Sequence, residues 1–248
     1  MQKLGGWLIL SGLFLATPAI AGTNTAESDL AYNSGRNFLA DGRAELAVEK
    51  FKKSIELDDK NYFAYKGLGI ALAKLTNYRD AERAQRKCLD LNPDFADARN
   101  DLATTLMLMG RREEARKEWM SAHARPFNPT PDQTATNLGQ SYLEEKNYAE
   151  AGRWFQKALQ QNESAGRAYV GLGASLMEQN RLDEAISTLE NGSNKMSGDP
   201  ELLFTLGDAY YRAGRFGDAR TKLEAAVKGD PVGAFGRRAA ERLKHFPK

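Results

Sequence analysis

The chain has 248 residues, 35 of them Lys or Arg and 33 Asp or Glu, for a formal net charge of +2, with two His and one Cys. A balance this close to neutral argues against nucleic acid as the partner, and a single cysteine excludes an internal disulfide. His123 and His245 have no paired cysteine or acid at ligand spacing, so neither a metal nor another cofactor is expected.

The first element is a leader. Lys3 gives it a positive start, Leu4 to Ala16 supply 13 largely apolar residues, and Ala19-Ile20-Ala21 has the small-x-small form that signal peptidase accepts. Residues 1–21 read as a signal peptide cleaved before Gly22. An uncleaved anchor is the alternative, but a membrane span needs about 20 apolar residues. Gly22 stands where a lipoprotein signal places a cysteine, which excludes lipidation at that site. Secretion across the inner membrane makes the remainder periplasmic. Residues 22–27, Gly-Thr-Asn-Thr-Ala-Glu, are polar and read as a short disordered leader.

From Ser28 one pattern recurs with a period of 34, in six units that begin at Ser28, Tyr62, Ala96, Asp132, Gly166 and Pro200. Position eight is Gly35, Gly69, Ala103, Gly139, Gly173 and Gly207. Position twenty is Ala47, Ala81, Ala115, Ala151, Ala185 and Ala219. Position seven is leucine in every unit but the first, which has Ser34. Position twenty-four is large in five units (Phe51, Trp119, Phe155, Leu189, Leu223), with Gln85 in unit two. Small residues let antiparallel helices approach, and large ones fill the gap beside them. Each unit therefore predicts a helix A over roughly its first fourteen positions and a helix B over the rest. Turns fall at Asp41-Gly42, Thr76-Asn77, Gly110-Arg111, Lys146-Asn147, Asn180-Arg181 and Gly214-Arg215, where Gly and Asn tolerate the left-handed conformation that ends helix A. Cys88, at a position held by small residues elsewhere, reads as a buried packing residue.

Repeats one to three occupy residues 28–129, Thr130-Pro131 is a two-residue insertion, and repeats four to six occupy 132–233. Pro126, Pro129 and Pro131 stiffen this join and should change the rotation between units. Gly192, Ser193, Asn194 and Gly198 predict that helix B of unit five frays or bends. Residues 234–248 read as a capping helix and basic tail. Phe235, Ala239, Ala240 and Leu243 form its apolar side, while Arg237, Arg238, Arg242, Lys244 and Lys248 outnumber Glu241. Such a tail allows weak contact with an anionic membrane; a solvated outer face is the alternative.

The repeat resembles the tetratricopeptide repeat, over residues 28–233. That resemblance implies an all-α, right-handed α-solenoid of six helix-turn-helix repeats plus a C-terminal capping helix, each unit burying its apolar face against its neighbours. It also implies a protein-binding scaffold and not an enzyme. In this family the second, fifth, ninth and twelfth positions of helix A face the concave groove. Carried onto this chain they include Tyr32 and Arg36; Phe63, Lys66 and Ile70; Asn100, Thr104 and Met107; Thr136, Gln140 and Leu143; Val170 and Met177; and Phe204, Asp208 and Tyr211. The twelfth positions run Leu39, Ala73, Met107, Leu143, Met177 and Tyr211, an apolar stripe suited to a peptide, with Asn100, Thr136, Asn137 and Gln140 placed to bond its main chain. Spacing alone does not separate groove exposure from packing against the next helix. Some relatives clamp a carboxylate terminus with Lys and Asn. Asn33, Arg36, Lys66 and Lys74 approach that set, but Gly67 and Ile70 interrupt it, so that mode is not expected.

A narrower resemblance covers about 40 residues. Asn100-Asp101-Leu102-Ala103, Gly110-Arg111-Arg112-Glu113-Glu114-Ala115, Pro129-Thr130-Pro131 and Asn137-Leu138-Gly139 are similar to the centre of the type IV pilus biogenesis pilotin family. It implies a periplasmic factor that helps an outer-membrane secretin assemble. Members carry a lipidated cysteine, and Gly22 departs from that pattern. The expected function is a non-enzymatic envelope assembly factor holding a segment of a secretin or pilus component. A periplasmic scaffold for another complex, such as polysaccharide export or cytochrome maturation, and a carrier of a small lipid or sugar stay open.

Overall fold

A computed structural model describes the chain from Ala21 to Phe246, with side chains from Thr25 onward. Six helical hairpins follow one another: α1 (Ala21–Ala40) with α2 (Ala44–Leu57), α3 (Tyr62–Lys74) with α4 (Tyr78–Leu91), α5 (Ala96–Leu108) with α6 (Arg112–His123), α7 (Pro131–Glu144) with α8 (Tyr148–Gln161), α9 (Gly166–Glu178) with α10 (Leu182–Lys195), and α11 (Pro200–Arg212) with α12 (Phe216–Gly229). A thirteenth helix, α13 (Ala234–Lys244), packs on α11 and α12. The described residues contain no strand. The fold is an all-α tetratricopeptide-type solenoid, in which each hairpin packs on the next.

The repeat positions explain the stacking. All six alanines at position twenty are fully buried, where helix B crosses helix A. Phe51 is a wedge. A Cβ on Gly35 would lie 2.8 Å from its ring, and one on Gly67 of the next unit 2.5 Å. Phe155 is seated the same way between Gly139, at 2.8 Å, and Gly171, at 2.3 Å. The missing methyl groups let one aromatic on helix B reach two A helices at once, so the core is a string of local clusters. Gln85 takes the same place under Gly69 and is buried, although it is polar.

Every hairpin turn contains a left-handed residue. Gly42, Gly110 and Gly214 hold it at no steric cost, and Thr76, Lys146 and Asn180 hold it at φ 58–60°. Asn61, Asn147 and Asp199 then cap α3, α8 and α11 by accepting the amides of Ala64, Glu150 and Leu202.

Two expectations are corrected. The polar run 22–27 is helical rather than disordered. It extends a helix pinned at Ser28, whose buried hydroxyl bonds the Ser54 carbonyl at 2.9 Å. Helix α10 also runs unbroken through Gly192. That glycine is a packing site, since a Cβ there would meet Tyr169 at 2.7 Å, and the break comes at Gly198, φ 84°. At the proline join the wall of A helices loosens. Successive A helices touch on either side of it, while α5 and α7 make at most marginal contact, bridged by the Asn137 amide donating to Asn100 at 3.2 Å. The expected signal peptide lies, apart from Ala21, outside the described residues. No described helix is long and apolar enough to cross a membrane.

Candidate partner-binding groove

The groove positions divide into an open end and a closed one. Tyr32 and Arg36 on α1 and Phe63, Lys66 and Ile70 on α3 converge on one cavity of about 320 Å³, floored by Phe51 and completed by Leu39, Ala40 and Gly67. Its walls are aromatic. Tyr32 lies 6.0 Å from Phe51 and 6.1 Å from Phe63, ring centre to ring centre, and Phe63 also packs on Tyr62 and Phe95 at 4.3 and 5.6 Å. Phe63 nevertheless stays 43% exposed. Ile70 also lines a second cavity of about 210 Å³, with Ala73, Lys74, Gln85, Asp101, Thr104, Thr105 and Leu108. Together the two make a trough across units one to three. Leu108, 56% exposed, was not anticipated, because it falls at position thirteen, outside the four groove positions.

The joint between units two and three is electrostatic. Lys66 Nζ reaches Asp97 at 3.5 Å and Asp101 at 3.9 Å. Burial pushes the Asp101 carboxyl up to about 6, against the pull of Lys66 and with a further push from Asp97. Its Oδ2 is buried without a hydrogen-bond partner. Burial likewise raises the Cys88 thiol to about 12, which leaves it an inert packing group.

Farther along, the peptide-bonding groups expected in units three and four are already engaged. Asn100 accepts from Asn137, Thr136 is buried and donates to the Asp132 carbonyl at 2.8 Å, and Gln140 bonds Glu144 at 3.4 Å. Met107, Leu143 and Val170 are half-buried against the core, and Met177 is buried with Leu172, Leu176 and Leu206. Here the twelfth-position stripe packs neighbouring helices. A third cavity, about 400 Å³, is lined by Asp132, Gln133, Thr136, Asn137, Ala165, Gly166 and Arg167.

The groove positions of unit six are closed. Helix α13 lies along α11, with the Arg238 guanidinium 4.4 Å from the Phe204 ring centre, Arg242 paired with Asp208, and Phe246 packed on Tyr211 at 5.2 Å. Phe204 and Asp208 are buried. Arg242 is thus paired within the fold, while Arg237, Arg238 and Lys244 stay exposed, Lys244 beside Glu241 at 2.7 Å. The described residues hold no cluster of three or more His, Cys, Asp or Glu able to ligate a metal.

Stacked hairpins with an open trough on the A-helix side define an α-solenoid scaffold. Tetratricopeptide repeat profiles match residues 66–129, 142–202 and 176–234, more than half of the chain, which belongs to the tetratricopeptide repeat family. The solved structure of Pseudomonas aeruginosa PilF matches with a TM-score of 0.75 at 18% identity, covering 89% of this chain and 99% of that one. PilW, a widely conserved type IV pilus biogenesis factor, matches with a TM-score of 0.75 at 17% identity, covering 86% and 98%. In sequence, the type IV pilus assembly protein PilF of Pseudomonas aeruginosa is 27% identical over 128 residues, 52% of this chain and 51% of that protein. The BBSome complex member BBS4 of Bos taurus is 27% identical over 156 residues, 63% of this chain. The chain spans less than a third of the length of the first curated relatives it matches. It is a protein-interaction scaffold resembling type IV pilus biogenesis factors.

Proposed function

We propose that this chain is a non-enzymatic assembly factor of the bacterial cell envelope, serving type IV pilus or secretin machinery, and that it holds a partner segment in the trough of units one to three. The observation that carries the site is Phe63. A phenylalanine left 43% exposed inside an aromatic cavity is costly in water and is relieved by an incoming apolar side chain. The likeness to PilF and PilW supports the choice of machinery. The leader ending at Ala19-Ile20-Ala21 supports a periplasmic site of action.

A photocrosslinking side chain at Phe63 or Ile70, introduced in the native host, tests both parts. Capture of a secretin or pilus component, together with loss of secretin multimers on deletion of the gene, is the expected result. Unchanged multimers and normal pili after deletion would overturn the choice of machinery. Capture only from Val232, on the far end of the stack, would overturn the choice of site.

A further inference from the structure

We propose that the trough takes an acidic segment: one bulky apolar side chain in the Tyr32–Phe63–Ile70 cavity, flanked by side-chain carboxylates that reach Arg36 and Lys74. This rests on the groove reading above and names the chemistry of its occupant.

The reason is the charge that lines the trough. Several carboxylates of the A-helix wall have partners. Asp97 and Asp101 face Lys66, Asp132 accepts from the Asn162 amide at 2.9 Å, and Asp208 pairs with Arg212 and Arg242. Many of its cations are matched as well: Arg99 with Glu118 at 2.7 Å and Arg212 with Glu178 at 2.8 Å. Three are not. Arg36, Lys74 and Arg167 make no ion pair among the described residues, and each lines a different one of the three wall cavities. Arg36 rests its guanidinium 5.7 Å from the Tyr32 ring centre, which leaves its donors free for a carboxylate. The two trough cavities are lined by Arg36, Lys66 and Lys74 against Asp101 alone, so their lining is positive in a protein that is nearly neutral overall. Complementarity selects a negative partner and steers its approach.

The apolar half of the specification comes from shape. Phe51 can floor the first cavity only because Gly35 and Gly67 carry no Cβ, so the pocket is built into the repeat and does not open by chance rotation of a side chain. Ile70 belongs to both cavities, which sets the anchor between the two unpaired cations. A segment with acids on both sides of a Leu, Phe or Trp satisfies Arg36 and Lys74 together.

The test is selection of a random twelve-residue display library on the immobilised full-length protein, repeated on Phe63→Ser and on Arg36→Gln/Lys74→Gln. Arg36 and Lys74 are exposed, so the double variant should melt as the wild type does. The expected consensus is a large apolar residue among Asp and Glu, absent from the Phe63→Ser selection. The leading peptide should bind the double variant roughly tenfold more weakly, the combined effect of two exposed ion pairs. A basic or uncharged consensus that still requires Phe63 would overturn the acidic occupant and leave the groove standing. Enrichment indifferent to Phe63→Ser, or none at all, would overturn both.

Discussion

Gln85 occupies a position that is Phe, Trp or Leu in every other unit, and replacing it with leucine should stabilise the protein. Its side chain is 1% exposed, and its Cγ sits 2.5 Å from where a Cβ on Gly69 would be. Leu189 lies at 2.6 Å beneath Gly173 in the corresponding place of unit five, so a leucine fits the slot. What the slot does not supply is a partner for the amide oxygen, because Oε1 is buried without a hydrogen bond. A buried unsatisfied acceptor costs about 1–3 kcal/mol. Allowing for imperfect fit of a shorter side chain, Gln85→Leu should add about 1–2 kcal/mol. For a chain of this length that is a rise of roughly 2–8 °C in melting temperature, followed by circular dichroism at 222 nm. Because solenoids unfold in pieces, the gain should also appear as slower amide exchange in α3 and α4, with little change in α9 and α10. Gln85→Glu, which buries a charge in the same slot, should lower the melt. A Gln85→Leu variant that melts at or below wild type would refute the claim that the unpartnered amide oxygen costs stability.

Thr76 holds a left-handed turn with a β-branched side chain at φ 59°, so Thr76→Gly should gain about 0.5–1 kcal/mol in urea unfolding; a loss would mean that the threonine makes a compensating contact. Gly171→Ala places a methyl group 2.3 Å from the Phe155 ring and should cost about 1–3 kcal/mol, recovered in part by Phe155→Leu; equal costs with and without that second change would show that the wedge is not the cause. Asp101 titrates at about 6 when folded against 3.8 as the ordinary value. A carboxyl raised in this way costs stability above the higher value and nothing below the lower one, so the penalty, at most about 3 kcal/mol, fades as pH falls from 6 to 4. Asp101→Asn should therefore be more stable than wild type at pH 7, and the gap should close by pH 4 in urea titrations. A gap that stays constant or widens would contradict the burial argument.

The stack was legible in the sequence because its physics repeats. An alanine every 34 residues and a small residue facing a large one are what close helix packing demands, and the same few positions had to satisfy it six times. The turns were legible at Gly42, Gly110 and Gly214 for a similar reason, since φ near 75° favours glycine. Where the reading failed, one residue type had two uses. Gly192 read as a break in a helix and proved to be a seat for Tyr169. The polar run before Ser28 read as disorder from its composition, and it continues a helix anchored at Ser28.

The groove was legible only in direction. A repeat position says which way a side chain points and not what else arrives there. Met177 points inward and is covered as the next hairpin packs on, and Phe204 and Asp208 are sealed by a helix outside the repeat altogether. Arg242 of α13 finds its acidic partner, Asp208, 34 residues earlier, beyond any local pattern, and Arg238 finds Phe204 in the same way. That closure has a consequence for recognition. Helix α13 fills the last unit with a cationic, aromatic-contacting segment, whereas the first three units present an aromatic cavity with unpaired cations. The two ends of the solenoid therefore carry the same sign and differ in shape: α13 fills the groove of the last unit, and the cavity of the first units stays open.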